Sequence, residues 1–228
     1  MRLQQEIWGF EDIELLPVRL FVVATKVGGQ AIGAFDGDQM IGFLLAIPGL
    51  KKGAVTYLHS HMMGVLPPYR NLGVGRMLKL EQRREALSRD IGLVEWTFDP
   101  LEIKNAYFNI ERLGAIVRRY VLNQYGTTTS HLHGGLPTDR CVAEWYLASA
   151  RVRGIVDGEP REPVTIEERI AVPSDIAEIR VNDPKRAREI QLSVSERFRE
   201  CFNRGLAVVG FAKTEQAGTY LLGPWHSK

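Results

Sequence analysis

Apolar and polar residues follow one rhythm through the first third of the chain and then change to another. The apolar runs Gln30 to Phe35 and Met40 to Ile47 flank Asp36-Gly37-Asp38-Gln39, a pattern that predicts a β-hairpin turning on Asp-Gly. A third strand is expected over Tyr57 to Val65, beyond the Lys51-Lys52-Gly53 turn. The period then lengthens. Val74, Met77, Leu78 and Leu87 can share one face of a helix running from about Gly75 to Arg89, with Arg83, Arg84 and Glu85 largely on the other. Leu93 to Phe98 reads as a further strand ended by Asp99-Pro100, and Lys104 to Leu113 as a helix closed by Gly114. Two more strands, Ala115 to Tyr125 and Cys141 to Leu147, are joined by the polar, glycine-bearing stretch Gly126 to Asp139.

The composition shifts after Ala150. Asp157-Gly158-Glu159-Pro160-Arg161-Glu162-Pro163 has the character of a linker. Beyond it a strand (Glu168 to Val172), a helix (Pro184 to Asn203) and a strand pair (Leu206 to Leu222) are expected. Pro184 opens that helix, Gly205 follows its end, and Ala187, Ile190, Val194, Phe198 and Cys201 form its apolar face. The chain therefore divides into residues 1–150 and a C-terminal β-α-β-β extension over 151–228.

Composition narrows the class. With 228 residues, 45% hydrophobic and 25% charged, the chain is an ordinary globular protein rather than a disordered, collagen-like or disulfide-built one. Basic and acidic residues number 29 and 27, so no global field recruits nucleic acid. The N-terminus has no apolar signal core, and Met40 to Leu50, broken by Gly42, Pro48 and Gly49, is too short to span a bilayer. Cys141 and Cys201 lack metal-type spacing, so free thiols and a cytoplasmic location are expected.

The chemistry is concentrated in Val65-Leu66-Pro67-Pro68-Tyr69-Arg70-Asn71-Leu72-Gly73-Val74-Gly75-Arg76. Gly73 and Gly75 let the backbone turn sharply and bring successive N–H groups toward an anion, and the helix that follows adds unpaired donors and a positive dipole end. A P-loop needs Gly-Lys-Ser/Thr, and this loop ends Gly75-Arg76-Met77. A dinucleotide fingerprint needs a third glycine, and Leu78 stands there. A pyrophosphate cradle or a purely structural loop remains.

Strand, Val-x-Pro-x-x-Arg-x-x-Gly-x-Gly, long helix, strand and shorter helix resemble the GNAT N-acetyltransferase superfamily over about Trp8 to Leu147. Tyr57 to Val65, Trp96-Thr97-Phe98-Asp99-Pro100, Asn105-Ala106-Tyr107 and Leu136-Pro137-Thr138-Asp139-Arg140 resemble an uncharacterised bacterial subgroup of predicted acetyltransferases. The resemblance implies a mixed, mostly antiparallel central sheet flanked by helices (α/β in the α+β sense), with the C-terminal extension packed on it. It implies acetyl-CoA or another acyl-CoA as co-substrate, no metal, and an acyl group moved to the amine of a small molecule, by similarity an amino acid, with a succinyl donor as an alternative. It implies that Arg70 shapes the loop and that backbone N–H groups of Leu72, Gly73, Val74, Gly75 and Arg76 bind the pyrophosphate. Met63 and Val65 correspond to positions whose backbone pairs with the pantetheine arm and acyl group, and Asn105 to an asparagine that contacts CoA. The partners expected are the amine acceptor and a possible second copy of the chain; nucleic acid and membrane are not expected.

The sequence departs from the superfamily pattern at two places. Four residues before the glycine that closes the later helix, a tyrosine often protonates the leaving thiolate; here Ile110 stands there, leaving Tyr107 or Tyr120 as substitutes. The usual first strand is missing, and the C-terminal segment is expected to cover the edge so left. His59 and His61, two apart on a strand, share a face, and His59 matches a position where an acidic base can sit. A pair of structural histidines and water-mediated deprotonation are the alternatives. A metal site there would need His131 or His133. Glu95 and Asp99 could serve as acid and base or simply as solvated strand ends. Gly-x-Ser-x-Gly and His-Glu-x-x-His are absent. The rival function is a non-catalytic acyl-CoA-binding or sensing module; a peptide or protein acceptor is a third possibility.

Overall fold

Gly37, at φ 56°, turns the chain between β1 (Gln30–Asp36) and β2 (Gln39–Lys51) in the computed structural model. Residues 1–126, 136–160 and 163–225 are described, and they fall into two compact units, Met1–Trp96 and Thr97–Lys228.

In the first unit β2 pairs antiparallel with β1 and with β3 (Val55–Val65), and β3 pairs in parallel with β4 (Leu93–Phe98). Strand β2 runs past Pro48 and Gly49, where periodicity alone would end it, because β3 supplies a partner from Gly42 through to Lys51. Gly49 is required there: a Cβ would sit 2.4 Å from the Tyr57 ring. The helix α3 (Val74–Leu87) covers one face, with Val74 and Leu78 packed on Ile41. Phe43 points the opposite way from Gly42, which abuts Leu78, and packs in a cluster with Leu3, Trp8 and Phe21 from α1 (Arg2–Trp8) and α2 (Val18–Lys26). The periodicity gave no sign of α2, whose Val18, Val22 and Val23 face solvent.

The second unit contains β5 (Ile116–Val121), β6 (Arg140–Tyr146), β7 (Glu168–Pro173), β8 (Leu206–Lys213) and β9 (Ala217–Pro224), all antiparallel, in the order β6-β5-β8-β9-β7. The C-terminal extension packs as expected, on residues 97–150. Beyond the β5–β8 pairing, the Phe211 N–H donates to Glu111 Oε1 at 2.7 Å, Gln191 Nε2 to the Pro137 carbonyl at 2.8 Å, and Tyr220 Oη to the Pro100 carbonyl at 2.6 Å. Three short helices, α4 (Ile103–Tyr107), α5 (Ala150–Val156) and α6 (Ile176–Asn182), precede the long α7 (Pro184–Asn203). The Asp183 carboxylate caps α7 by accepting the Arg186 N–H at 3.0 Å. Phe198 and Tyr220 meet edge-on at 4.9 Å in the core of this unit.

Two expectations are corrected. The helix read over Lys104 to Leu113 is α4 followed by a π-helical turn, Phe108–Arg112. The strands of the C-terminal segment do not restore a first strand beside β1; β8 pairs with β5, β9 with β8 and β7 with β9. Both cysteines are free and buried. No helix among the described residues is long and apolar enough to cross a membrane.

Candidate functional site

The loop after β3 is held from three sides. The Leu66 N–H donates to the Ile41 carbonyl at 2.9 Å, and Tyr69 Oη to Asp36 Oδ2 at 3.1 Å. Arg70 Nε reaches the Val65 carbonyl at 3.2 Å and its Nη2 the Ile7 carbonyl at 3.5 Å, so this side chain ties the loop to β3 and α1. Asn71 and Gly73 are left-handed, at φ 64° and 85°. Space is open where a Gly73 Cβ would be, so the backbone conformation, not crowding, demands glycine there.

Helix α3 starts at Val74, one residue earlier than expected, with no side chain capping it. The Met77 N–H makes the first helical bond, to the Gly73 carbonyl at 3.0 Å, which leaves the N–H groups of Val74, Gly75 and Arg76 without helical partners. Arg76 Nε is buried with no hydrogen-bond partner among the described residues. Uncapped donors, the positive helix end and an orphaned guanidinium N–H together suit a phosphate group. Leu72 is exposed beside them.

Strands β3 and β4 pair at Leu58–Val94 and His59–Glu95, and there the pairing stops. Strand β3 continues to Val65, still paired with β2. A bulge falls at the same place: Ala46 faces Ser60 and Leu45 faces Met62, leaving His61 as the extra residue. The chain thus opens a fork between β3 and β4, with Met63 and Val65 on the β3 arm.

His59 and His61 sit at the root of the fork, ring centroids 6.1 Å apart. Burial, then the neighbouring His61 and Lys79, lower the His59 pKa against the pull of Glu95. Desolvation lowers that of His61. Both imidazoles are therefore neutral at pH 7 and able to accept a proton. Glu95 is buried and ion-paired with Lys51, so it is no solvated strand end.

The other candidates lie in the second unit. Asn105 and Tyr107 are exposed on α4. Tyr120 Oη donates to Asp139 Oδ2 at 3.0 Å and its ring stacks on Phe198 at 5.5 Å; burial, Cys141 and Asp139 raise its pKa. Ile110 is wholly buried. His131 and His133 lie outside the described residues, and no cluster of three or more metal-ligating side chains occurs among the described ones.

Lys79 and Arg180 were not singled out in the sequence. Lys79 is buried on the same stripe of α3 as Val74, Leu78, Gln82 and Ala86, so its position on the apolar face was the available signal.

No family model matches the sequence, and no curated protein matches it. Among solved structures, the ribosomal-protein-S18-alanine N-acetyltransferase of Escherichia coli matches with a TM-score of 0.50 at 17% identity, covering 65% of this chain and 86% of that one. Naa20 of Chaetomium thermophilum, in complex with a bisubstrate analogue, matches with a TM-score of 0.49 at 17% identity, covering 63% and 80%. A GNAT family acetyltransferase from Elizabethkingia anophelis with acetyl-CoA bound matches at 0.46 and 14%, covering 57% and 83%. At such identities the likeness is one of fold, and the fold is that of the GNAT acetyltransferases.

Proposed function

We propose that this chain is an acyl-CoA-dependent N-acyltransferase that moves an acetyl or succinyl group from CoA to the amine of a small molecule by direct transfer. The observation that carries the reading is the presence of two features in the first unit: the uncapped α3 N-terminus with its orphaned Arg76 Nε, and the stretch of β3 beyond His59 that has no β4 partner. The first suits the CoA pyrophosphate; the second offers free strand backbone to the pantetheine arm. Residues Leu72 to Arg76 supply the phosphate donors, and Met63 and Val65 the backbone for the arm.

In the reaction, neutral His59 takes a proton from the acceptor ammonium, directly or through water, with His61 beside it. The freed amine attacks the thioester carbonyl, forming the C–N bond. A backbone N–H on the free edge of β3 stabilises the oxyanion, a contact worth about 3 kcal/mol of barrier. Collapse breaks the C–S bond, the nitrogen releases its second proton to solvent to leave the neutral amide, and the thiolate takes a proton from solvent.

A second reading, an acyl-CoA-binding module without turnover, draws on Ile110, a buried side chain without a proton at the usual acid position. One experiment separates the two: release of CoA thiol from acetyl-CoA and succinyl-CoA across a panel of amino acids, polyamines and peptides. Turnover on any amine supports the transferase, with the best acceptor naming its class. CoA binding without turnover supports the module. Absence of CoA binding refutes both.

A further inference from the structure

A polar network lies buried between α3 and the sheet of the first unit. Lys79 is 2% exposed, and its Nζ lies 2.9 Å from Ser60 Oγ, 3.0 Å from Gln82 Oε1 and 3.7 Å from the centroid of the Trp96 ring. Gln82 is held in turn by Gln30: its Nε2 donates to Gln30 Oε1 at 3.0 Å, and Gln30 Nε2 donates back to the Gln82 carbonyl at 3.1 Å. A hydroxyl, an amide oxygen and a π-face thus meet the three donors of an ammonium. Burial pushes the Lys79 pKa well below the usual lysine range. A methionine would fill similar space with no charge to desolvate, so an amino group here costs stability.

Its location supplies a reason. His59–Glu95 is the last rung joining β3 to β4, and Ser60 and Trp96 are the next residue on each strand. Each alternates with a rung residue, so both point to the face that α3 covers. The Lys79 amino group bridges the two strands at the first step where they part.

We propose that Lys79 is a positioning residue of the acyl-CoA site, tying Ser60 to Trp96 and so fixing where, and how widely, β3 and β4 separate to admit the acyl-thioester arm. This rests on the acyltransferase reading above. The group acts through the two strands rather than on the reacting atoms. The phosphate donors at Val74 to Arg76 lie at the start of the same helix and are held independently, by Arg70 and the Gly73 turn.

The test compares two ligands by calorimetry: acetyl-CoA, and ADP, which has a pyrophosphate but no pantetheine arm. In Lys79→Met the ADP Kd should stay within about twofold of the parent, while the acetyl-CoA Kd rises about tenfold, a loss typical of displacing a bound group by a fraction of an ångström. Equal acetyl-CoA affinity in parent and variant overturns the proposal. Parallel loss of both ligands also overturns it, because that marks general loss of structure. Should Lys79→Met not fold, Ser60→Ala reads the same tie from the strand side. It should show the same ligand selectivity with a smaller rise, about threefold, and unchanged affinities for both ligands would again overturn the proposal. A parent protein that binds neither ligand removes the acyltransferase reading and this proposal with it; a parent that binds acetyl-CoA beside an indistinguishable variant removes this proposal alone.

Discussion

Replacing Arg180 by methionine removes the guanidinium that joins α6 to the segment after β4. Arg180 is 6% exposed; its Nη2 donates to Asp99 Oδ2 at 2.7 Å and its Nη1 to Glu102 Oε1 at 2.8 Å. Asp99, 7% exposed, also accepts the Leu101 N–H at 2.8 Å through Oδ1. The two partners should count differently. Glu102 is the more exposed partner, its side chain 44% accessible, and its half of the interaction is worth about 1 kcal/mol. Asp99 is buried and loses its guanidinium partner when Arg180 is gone, and breaking such a pair from one side costs about 3–5 kcal/mol. Arg180→Met should therefore destabilise the protein by about 3 kcal/mol or more. Adding Asp99→Asn replaces the buried carboxylate by an amide whose oxygen can still accept from Leu101, so the double variant should be more stable than Arg180→Met alone. Urea unfolding of the parent, both single variants and the double variant, with m-values checked for constancy, measures the cycle. A cost below about 1 kcal/mol for Arg180→Met, or a double variant no better than the single one, would refute the reasoning.

Gly75→Glu places a carboxylate among the α3 donors and should abolish CoA binding; a folded variant that binds CoA normally in calorimetry would remove the proposed cradle. His59→Ala should lower turnover more at pH 7 than at pH 9, where more acceptor amine is already deprotonated; equal losses at both would leave His59 a structural residue. The folded protein holds His59 with a lowered pKa, so it carries fewer protons than the unfolded chain once the pH drops toward about 6.5. Stability should fall through that window to below the folded pKa, and less steeply in His59→Gln, as melting temperatures against pH would show. A fragment of residues 1–150 leaves β5 without β8 and Asp99 without Arg180, and should lose cooperative melting of residues 97–150. A monomeric, cooperatively melting, fully active fragment would make the extension an accessory.

Local signals recovered much of this molecule. The Asp36-Gly37 hairpin, the α3 stripe and the Pro184-to-Gly205 helix are each set by short-range turn chemistry and periodicity, and they lie close to where the sequence placed them. Tertiary pairing decided the rest. Strand β2 outlasts its apolar run because β3 accompanies it past Pro48. Gln191, rather than Ile190, is fully buried on α7, because its amide has the Pro137 carbonyl to bond. The glycine loop proposed as a phosphate cradle was legible because its glycines and uncapped helix start are consecutive in sequence. The meeting of Lys79 with Trp96 was not, since β3 and β4 are joined through a separate helix and no local pattern encodes which side chains lie between them.

The burial of the two cysteines has a chemical consequence for a chain that would hold thioesters. Acyl-CoA acylates a protein thiol by exchange, and the attacking species is the thiolate. Cys141 and Cys201 are both shut away from solvent, and desolvation raises the pKa of each, with Asp99 and Asp139 adding to the effect at Cys141. Neither sulfur can present a reactive anion to a bound or free thioester. Burial thereby protects both thiols from S-acylation. An electrophilic thiol reagent added to the native protein should therefore label neither sulfur readily.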